Sequence, residues 1–523
     1  MDRRSFLHGA TGSAMLAALH PWSVGKLSAA RGPNIIFIIT DDVSASLFNF
    51  HPAGWRGNLT PNLDRLAAEG TILWNQHISS PVCTPSRYSC LTGRYASRAT
   101  NQDFVDTTAR AGMSLVYWNT RITPDDLTFP KVLQDAGYIT GMVGKNHTIA
   151  IPGGTRIAST ADPHDSAVAE QLRRNKDATT TGIKAAGFDH AEGIYNGNIE
   201  GMNPPALRVH NMDWIAKAGL DFIDQNRGGP FFLYFATTLT HSPYERDQAT
   251  EADPLATPFG YLAQAPGVLP SRSTLTPRLH AAGITPTIQQ EMMLWLDDAI
   301  GALLAKLEQY QLLDDTIIIF FNDNGQEGKG SIYDSGVRCP SIVWRRNRFP
   351  CGPSSDALVS NIDFAPTICQ LAGAIVPSGT FDGVSFLPVL EATRTSVHAD
   401  LYFELGFTRG VRFDRWKYLA LRYPPDAARF ALKPQPAHMV GVKVPPGNPG
   451  FGHIGGNDNE TAAMKTHPAY FDPDQLYDLR TDPDEQRNLA NDPQYATKLD
   501  EMKQRLNVYL QSLPGGFAEL KPS

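Results

Sequence analysis

Continuous runs of apolar residues recur along the chain, separated by segments whose apolar residues follow a helical spacing. Such runs are typical of strands that are buried on both faces of a largely parallel sheet. They predict an α/β fold with a large mixed, mostly parallel sheet sandwiched by helices. The strands predicted for this sheet are 33–40, 72–74, 138–143, 231–236, 316–321 and 340–344.

The helix predicted at 60–70 has clear ends, since Thr60 and Pro61 suit its first positions and Gly70 suits its stop. The segment 287–311 carries apolar residues at helical spacing, which predicts core packing. The other predicted helices are 129–136, 209–226, 361–372 and 495–513, and the predicted irregular segments and loops are 150–205, 245–285 and 423–470.

Beyond residue 394 the pattern changes to short runs that are typical of antiparallel strands. With the final helix, these runs predict a smaller C-terminal α+β subdomain built on an antiparallel sheet. We therefore predict a signal peptide at 1–30, a main domain at 31–394 and a subdomain at 395–523. The strands predicted in the subdomain are 401–405, 409–413, 416–422 and 475–479.

Composition narrows the class of protein. The chain has 523 residues, of which 42% are hydrophobic, and a formal net charge of −7. These values indicate an ordered globular protein. Nucleic-acid binders normally carry a basic surface, so we expect no nucleic-acid partner. An anionic substrate would need positive charge gathered locally.

The first 30 residues have features of an export signal. Arg3 and Arg4 precede Phe6 and Leu7, and a modestly apolar run follows. This order resembles a twin-arginine signal. The apolar run is too short and too interrupted for a transmembrane anchor. We therefore predict an exported protein, periplasmic or secreted, with no stable membrane insertion.

The chain contains five cysteines, and an oxidising compartment could pair some of them. Cys83 has a chemical role that is argued below, and Cys90 is expected in the core. Of the remaining cysteines, Cys339 and Cys351 are the pair we favour for a disulfide bond, although spacing alone does not fix connectivity.

Carboxylates stand where two of the predicted sheet strands stop. Asp41 and Asp42 follow the first strand, and Asp323 with Asn324 follows the strand at 316–321. Ligands of α/β sheets bind outside the carboxyl ends of the strands. Helix capping and turn formation are the alternative roles for these residues. As ligands, their oxygens suit calcium or magnesium, whereas zinc sites use softer His and Cys ligands.

Basic side chains stand at two further strand ends. Lys145 and His147 follow the strand at 138–143 and lie two residues apart, so they could share one side of an extended segment. His241 follows the strand at 231–236, just before a proline turn. Lys145 or His147 alone is more often a surface residue, and a histidine placed like His241 is often merely structural.

The segment that begins at Cys83 reads Cys-Thr-Pro-Ser-Arg-Tyr-Ser-Cys-Leu-Thr-Gly and predicts the start of a helix. A helix N-terminus favours negative charge, and Arg87 adds a positive charge one turn on. Both features predict a lowered pKa for the Cys83 thiol and a site for an anionic substrate. A buried core cysteine is the alternative interpretation.

The pattern Cys83-x-Pro85-x-Arg87, followed by Leu-Thr-Gly, resembles the signature of the type I sulfatases of the alkaline phosphatase superfamily. The family usually has an aromatic residue where this chain has Asn146. The resemblance covers roughly 33–515. Its other characteristic stretches are 137–147, 241–243, 328–340 and 478–489.

The resemblance implies that a separate formylglycine-generating enzyme converts Cys83 to Cα-formylglycine, whose hydrated aldehyde attacks the sulfur of a sulfate ester. It also implies a calcium ion as cofactor, with magnesium left open by the ligand types. The implied ligands are Asp41, Asp42, Asp323, Asn324 and an oxygen of the modified Cys83.

The resemblance also assigns roles to the basic residues. Arg87 and the cation would stabilise the nucleophile, and Lys145 and Lys329 would offset charge on the sulfuryl oxygens. His241, aided by Lys145, would protonate the leaving oxygen. His147 would act as the base that expels sulfate from the covalent intermediate.

The substrate is expected to be a sulfated polysaccharide or its oligosaccharides, with a small aryl or alkyl sulfate as the second choice. The predicted loops would shape the pocket, and His210 is a candidate contact within it. Two alternatives stay open: a phosphonate or phosphate diester hydrolase of the same superfamily, and a non-catalytic protein that binds sulfated glycans. A zinc-dependent phosphatase is disfavoured because the expected histidines are missing.

Overall fold

The fold is described by a computed structural model for residues 32–54, 57–430, 441–443, 451–454 and 458–520. The export signal predicted at 1–30 lies outside the described residues, as do parts of the loop predicted at 423–470. Within the described ranges, no helix combines the length and apolar character needed to cross a membrane.

Strands and helices alternate through the first two thirds of the described chain, as the sequence pattern predicts. The strands are β1 (Asn34–Thr40), β2 (Thr71–Leu73), β3 (Gln76–His77), β4 (Ile139–Asn146), β5 (His190–Asn196), β6 (Phe231–Ala236), β7 (Ala256–Thr257), β8 (Gly260–Tyr261), β9 (Thr316–Asn322), β10 (Ser341–Trp344), β11 (Ser354–Ser355), β12 (Val359–Ser360), β13 (Asp400–Leu405), β14 (Thr408–Phe413), β15 (Trp416–Leu421) and β16 (Asp474–Asp478). The α-helices are α1 (Pro61–Glu69), α2 (Cys83–Thr92), α3 (Gln102–Ala111), α4 (Phe129–Asp135), α5 (Ser166–Ala185), α6 (Met212–Asn226), α7 (Leu275–Ala281), α8 (Ile288–Gln309), α9 (Asp334–Val337), α10 (Phe364–Leu371), α11 (Leu387–Leu390), α12 (Thr461–Thr466) and α13 (Ala496–Ser512).

An eight-stranded sheet with the order β11-β2-β10-β9-β1-β6-β4-β5 organises the fold. β1 pairs in parallel with β9 on one side and β6 on the other, and β4 and β5 continue the parallel part. β10 runs antiparallel to both of its neighbours. The predicted fold class is confirmed, and the carboxyl ends of β1, β4, β6 and β9 meet at one edge of the sheet.

Alternate residues of β1 face two different layers of the core. Ile35 and Phe37 pack in one cluster with side chains of α2, α4 and α10. Ile36 and Ile38 pack in the other cluster with α1, α6 and α8. Because helices cover both faces, β1 is apolar at successive positions rather than at alternate ones.

The C-terminal strands form a separate antiparallel sheet with the order β13-β14-β15-β16, as predicted. α13 covers one face of this sheet through Leu499 and Leu506. The other face packs against Val82 and Tyr333 of the main part of the chain. The small sheet therefore supports the segment that leads into Cys83, whereas a domain boundary at residue 395 stays a prediction.

The segment 150–205 is more regular than predicted, because it contains α5 and β5. α5 is mostly polar, and its few buried residues include Leu172 and Ile183, so its sequence lacks a broad apolar stripe. β5 lies at the edge of the sheet and has exposed positions, which removes the continuous apolar run of a central strand. The prediction of an irregular segment here is therefore wrong.

Smaller differences concern strand ends and cysteines. β4 continues to Asn146, so Lys145 lies within the strand and not beyond its end. The segment 245–285 is mainly loop, as predicted, but also contains β7, β8 and α7.

All five cysteines are free, so the predicted pairing of Cys339 with Cys351 is wrong. Both residues instead pack in the apolar layer beside α2 and α10.

Gly144 lies where β4 shifts its register against β5. Its φ is +83°, a backbone conformation that residues with a side chain rarely adopt. A Cβ atom added at Gly144 would lie 1.6 Å from the carbonyl oxygen of Ala236 in β6. Alanine therefore cannot be accommodated unless the strand that carries Lys145 moves.

We expect Gly144→Ala to reduce the free energy of unfolding by more than the roughly 1–2 kcal/mol that a left-handed backbone costs an alanine. The excess comes from the clash with Ala236. Gly137→Ala is the matched control, since Gly137 has a φ of +85° and an added Cβ would have no atom within 4 Å. Urea unfolding measures both variants, and equal losses of stability would contradict the steric argument.

Candidate active site

The residues predicted for the site converge at the sheet edge where β1, β4, β6 and β9 end. They come from these strand ends, from the start of α2 and from the loop that follows β9. They are Asp41, Asp42, Cys83, Arg87, Lys145, His147, His241, Asp323, Asn324 and Lys329. All except His147, which is partly exposed, are buried. Buried charges must be paired to be tolerated, and the contacts below show how these are paired.

Cys83 is the first residue of α2 and is fully buried. Its Sγ atom lies 3.6 Å from Asp41 Oδ1 and 3.9 Å from Asp42 Oδ1. Burial raises the pKa of the thiol well above its ordinary value, although Lys329 and Lys145 oppose this rise. The predicted lowering of the thiol pKa is therefore wrong, because burial outweighs the nearby positive charges. An unmodified thiolate is not the form that this site favours.

Arg87 joins the ends of β1 and β9. Its Nε donates to Asp323 Oδ2 at 3.1 Å, and its Nη2 lies 2.9 Å from the same oxygen and 3.5 Å from Asp41 Oδ1. Burial alone would lower the pKa of the guanidinium, but these carboxylates raise it. Among the described residues, Nη1 has no partner although it is buried.

Two lysines pair with the carboxylates at the end of β1. Lys145 donates to Asp41 Oδ2 in a short contact, and Lys329 donates to Asp42 Oδ2 at 2.5 Å. Burial alone would raise the pKa of each carboxyl, but these lysines and the neighbouring cations lower it. Asp42 likewise raises the pKa of Lys329 against the effect of burial. Asp41 and Asp42 are therefore ionised in the centre of the site.

Asn324 links two carboxylates through its side-chain amide. Its Nδ2 donates to Asp42 Oδ1 at 2.9 Å and to Asp323 Oδ1 at 2.8 Å. Its Oδ1 is buried and has no hydrogen-bond partner within the described part of the chain. Buried polar atoms are nearly always satisfied, so this oxygen is a candidate ligand atom.

The site could hold a metal ion. Ligand atoms that all lie within 4.8 Å of one another come from Asp41, Asp42, Cys83 and His241. The carboxylate of Asp323 and the orphaned oxygen of Asn324 add hard donors beside them. A set dominated by carboxylate and amide oxygens fits calcium or magnesium better than zinc. The residues present therefore fit a hard divalent cation.

The two predicted histidines have different surroundings. His241 Nε2 lies 3.3 Å from Asp42 Oδ2, and His241 Nδ1 lies 3.8 Å from Glu200 Oε2. Burial, with Lys145 as the next cause, holds the pKa of His147 well below its usual value. His147 is therefore a neutral imidazole at neutral pH. Its Nδ1 is buried and has no partner among the residues described.

Further residues lie beside the site. His210, a loose candidate from sequence, is buried with its Nδ1 2.9 Å from Thr238 Oγ1, and burial lowers its pKa to about 3. No sequence pattern points to Glu200, which lies near His241, or to Arg121, which donates to the carbonyl oxygen of His147. Glu200 lies in a short 3-10 helix, Ile199–Gly201, and Arg121 lies in a loop, so neither residue carries a periodic signal.

Sequence comparisons identify the families and proteins that this chain resembles. The family model described as Sulfatase matches residues 33–374, and the one described as N-sulphoglucosamine sulphohydrolase, C-terminal, matches residues 324–439. Arylsulfatase A of Bos taurus is 29% identical over 413 residues, which cover 74% of this chain and 73% of the relative. N-acetylgalactosamine-6-sulfatase of Canis lupus familiaris is 26% identical over 448 residues, which cover 78% of this chain and 75% of the relative.

Solved structures share the fold. The phosphonate monoester hydrolase of Silicibacter pomeroyi superposes with a TM-score of 0.56 at 18% sequence identity. The match covers 92% of this chain and 96% of that one. At this identity the likeness concerns the fold, because one fold supports several chemistries.

We expect Arg87→Met to reduce the free energy of unfolding by about 3–5 kcal/mol, since it leaves the buried carboxylate of Asp323 without its cation. Arg173→Met is the matched control, because Arg173 pairs with Glu170 at the surface, where solvent screens such pairs and their loss changes stability little. Denaturant unfolding followed by tryptophan fluorescence compares the two variants. If both losses were small, the pairing of Arg87 with Asp323 would not matter for stability.

Proposed function

The chain belongs to the sulfatase family of the alkaline phosphatase superfamily and is a sulfuric ester hydrolase, and from this premise we propose that it releases sulfate from sulfated carbohydrate. The nucleophile would be a formylglycine made from Cys83, whose hydrated aldehyde supplies a hydroxyl group. The observation that carries this proposal is the burial of Cys83 against Asp41 and Asp42, with Lys145 and Lys329 paired to those carboxylates. A neutral, buried thiol makes a poor nucleophile, whereas its modified form would sit among groups that stabilise negative charge.

The balance of charges supports a bound divalent cation. Arg87 compensates the charge of Asp323. Asp41 and Asp42 form ion pairs with the ammonium groups of Lys145 and Lys329, respectively. Two positive charges from a divalent cation would compensate both of these carboxylates instead. The two lysines would then be available to bind the oxygens of a sulfate ester.

We propose calcium as this cation, with magnesium as the alternative. The residues that would hold it are Asp41, Asp42, Asp323, Asn324 and an oxygen of the modified Cys83. The orphaned Oδ1 of Asn324 supports this assignment, because a cation would give that atom a partner. When bound, the ion would supply fixed positive charge that stabilises the sulfate oxygens in the transition state.

The remaining residues would handle charge and protons. Arg87 would stabilise negative charge on the nucleophilic oxygen at position 83. His241, which lies beside Asp42, would donate a proton to the leaving oxygen. Lys145, which pairs with the adjacent Asp41, would assist this step. His147 is neutral, and its buried Nδ1 has no partner among the residues that the structure describes, so it would serve as the base for release of sulfate.

The relatives and the predicted compartment support the substrate class that we propose. The name N-acetylgalactosamine-6-sulfatase states a sulfated sugar, and that relative aligns with 78% of this chain. A sulfated polysaccharide or its oligosaccharides is therefore the substrate that we propose first. A small aryl sulfate is the second candidate, in line with the name arylsulfatase A.

Maturation and export complete the proposal. Residues 1–30 would act as a twin-arginine signal, and the folded protein would be periplasmic or secreted. A formylglycine-generating enzyme would act on Cys83 before export. Residues 31–394 would form the catalytic domain, and residues 395–523 would form a subdomain that contributes to the site through its antiparallel sheet.

We expect peptide mass analysis of the mature protein to find an aldehyde at position 83. We also expect Cys83→Ala to abolish turnover of an aryl sulfate without loss of the fold, because the nucleophile is removed. Cys90→Ala is the matched control, since Cys90 is a buried cysteine of the same helix that packs in the apolar core and has no role in the proposed mechanism. A fully active protein with an unmodified Cys83 thiol would contradict the proposal.

The same assays distinguish the alternatives. Faster turnover of an aryl phosphonate than of an aryl sulfate would favour a phosphonate or phosphate diester hydrolase. Binding of a sulfated glycan without release of sulfate, together with an unconverted Cys83, would favour a binding protein. A panel of sulfated sugars, assayed for released sulfate, identifies the position that is cleaved.

We expect removal of the cation to lower kcat/KM by at least about hundredfold, because an ion that stabilises transition-state charge contributes several kcal/mol. The protein is dialysed against a chelator, its metal content is measured, and aryl sulfate turnover is followed before and after addition of calcium or magnesium. The ion that restores turnover identifies the cofactor. Unchanged activity in protein shown to be free of metal would rule out the cation.

A further inference from the structure

Lys329 is carried by a closed loop, residues 325–336, which we call the lysine loop. The backbone N–H of Gly328 donates to the carbonyl oxygen of Ser335 at 3.1 Å, so the two limbs of the loop are bonded beside Lys329. A Cβ atom added at Gly328 would lie 2.2 Å from Ser335 Oγ, which shows that the limbs are in direct contact. A displacement of the limb around Asp334 would therefore displace Lys329.

The C-terminal part of the chain holds the lysine loop at Asp334. Lys417 of β15 is fully buried, donates to Asp334 Oδ1 at 2.7 Å and lies 3.0 Å from Glu485 Oε1. Glu485 Oε2 accepts the backbone N–H of Asp334 at 2.6 Å. The side chain and the backbone of Asp334 are thus fixed by the same ion pair.

The preceding residue of the loop is fixed by the same part of the chain. The hydroxyl of Tyr333 donates to Gln475 Oε1 at 2.7 Å. The ring of Tyr333 stacks on His467, with 3.7 Å between ring centroids and 12° between ring planes. Two successive residues of the lysine loop are therefore oriented by contacts from the C-terminal part.

Stability alone does not explain the buried cluster of Lys417, Glu485 and Asp334. Burying Lys417 and Glu485 carries a desolvation cost that their attraction only partly offsets, and apolar residues of similar volume would avoid that cost. Burial raises the pKa of Glu485 to about 7 even though Lys417 opposes the rise. A directional ion pair does supply a defined geometry, and the residue whose geometry it defines is Asp334.

We propose that Glu485 and Lys417 are positioning residues that act through Asp334 and the lysine loop to hold Lys329 in place for the sulfate group of the substrate. This inference rests on the proposed function, in which Lys329 binds the sulfuryl oxygens. It also gives a role to the stretch 478–489, which resembles the family in sequence but contributes no side chain to the catalytic site.

The test uses the full-length matured enzyme with Glu485→Gln, Lys329→Met and the double variant. We expect Glu485→Gln to raise both KM for an aryl sulfate and the inhibition constant of inorganic sulfate about five- to tenfold, as coupling within one hydrogen-bonded network can do. Lys329→Met should raise both constants further. In the double variant the effect of Glu485→Gln should vanish, because the residue that it positions is gone. Calorimetric binding of inorganic sulfate supplies the comparison if turnover is lost.

Glu501→Gln is the matched control, because it makes the same chemical change on α13, where Glu501 pairs with Lys498 and Arg505 at partly exposed positions. It should leave both constants unchanged. If Glu485→Gln does not fold, as judged by thermal unfolding, Tyr333→Phe takes its place with the same expected direction. That change removes only the hydroxyl group that bonds to Gln475.

Two kinds of failure can be told apart. Equal effects of Glu485→Gln with and without Lys329 would overturn the positioning role, and so would an unchanged KM in the folded Glu485→Gln variant. Unchanged sulfate affinity in Lys329→Met would instead overturn the role of Lys329 in the proposed function. The vanishing of the Glu485→Gln effect in the double variant is the outcome that supports both.

Discussion

The buried carboxylates at the carboxyl edge of the main sheet are the constraint on which the rest of the site depends. Asp41, Asp42 and Asp323 are almost completely removed from water, and such a concentration of carboxyl groups is tolerated only beside positive charge. The helix α2 brings Arg87 to these carboxylates, β4 brings Lys145, and the loop after β9 brings Lys329. The distances among these groups are set by parallel pairing of β1 with β9 and of β4 with β6.

Much of the fold and of the candidate site could be predicted because the determining signals are local. A strand buried on both faces must be apolar throughout, so β1, β6 and β9 are visible as runs, and the polar residues after them mark one edge. α5 could not be predicted from periodicity, because a helix that buries little has no reason to carry a broad apolar stripe. The pKa of Cys83 could not be predicted either, since it depends on burial, which no short segment encodes.

The role of the small antiparallel sheet could not be predicted from the sequence pattern either. Its strands were recognisable, but their contacts with Val82 and Tyr333 join residues far apart in the chain. Through these contacts the sheet supports both the segment that precedes Cys83 and the loop that carries Lys329. The C-terminal part therefore contributes to the geometry of the site without supplying a side chain to its centre.

The complete burial of Cys83 constrains the order of modification and folding during maturation. An enzyme that modifies this side chain must reach it, and in the folded protein no part of it is accessible. If Cys83 is converted as proposed, conversion has to occur while the chain is still unfolded at α2. A chain that folds before conversion would then keep its thiol and remain inactive. The active fraction of a preparation would then depend on the rate of conversion relative to the rate of folding during synthesis, and later addition of the modifying enzyme would not raise it.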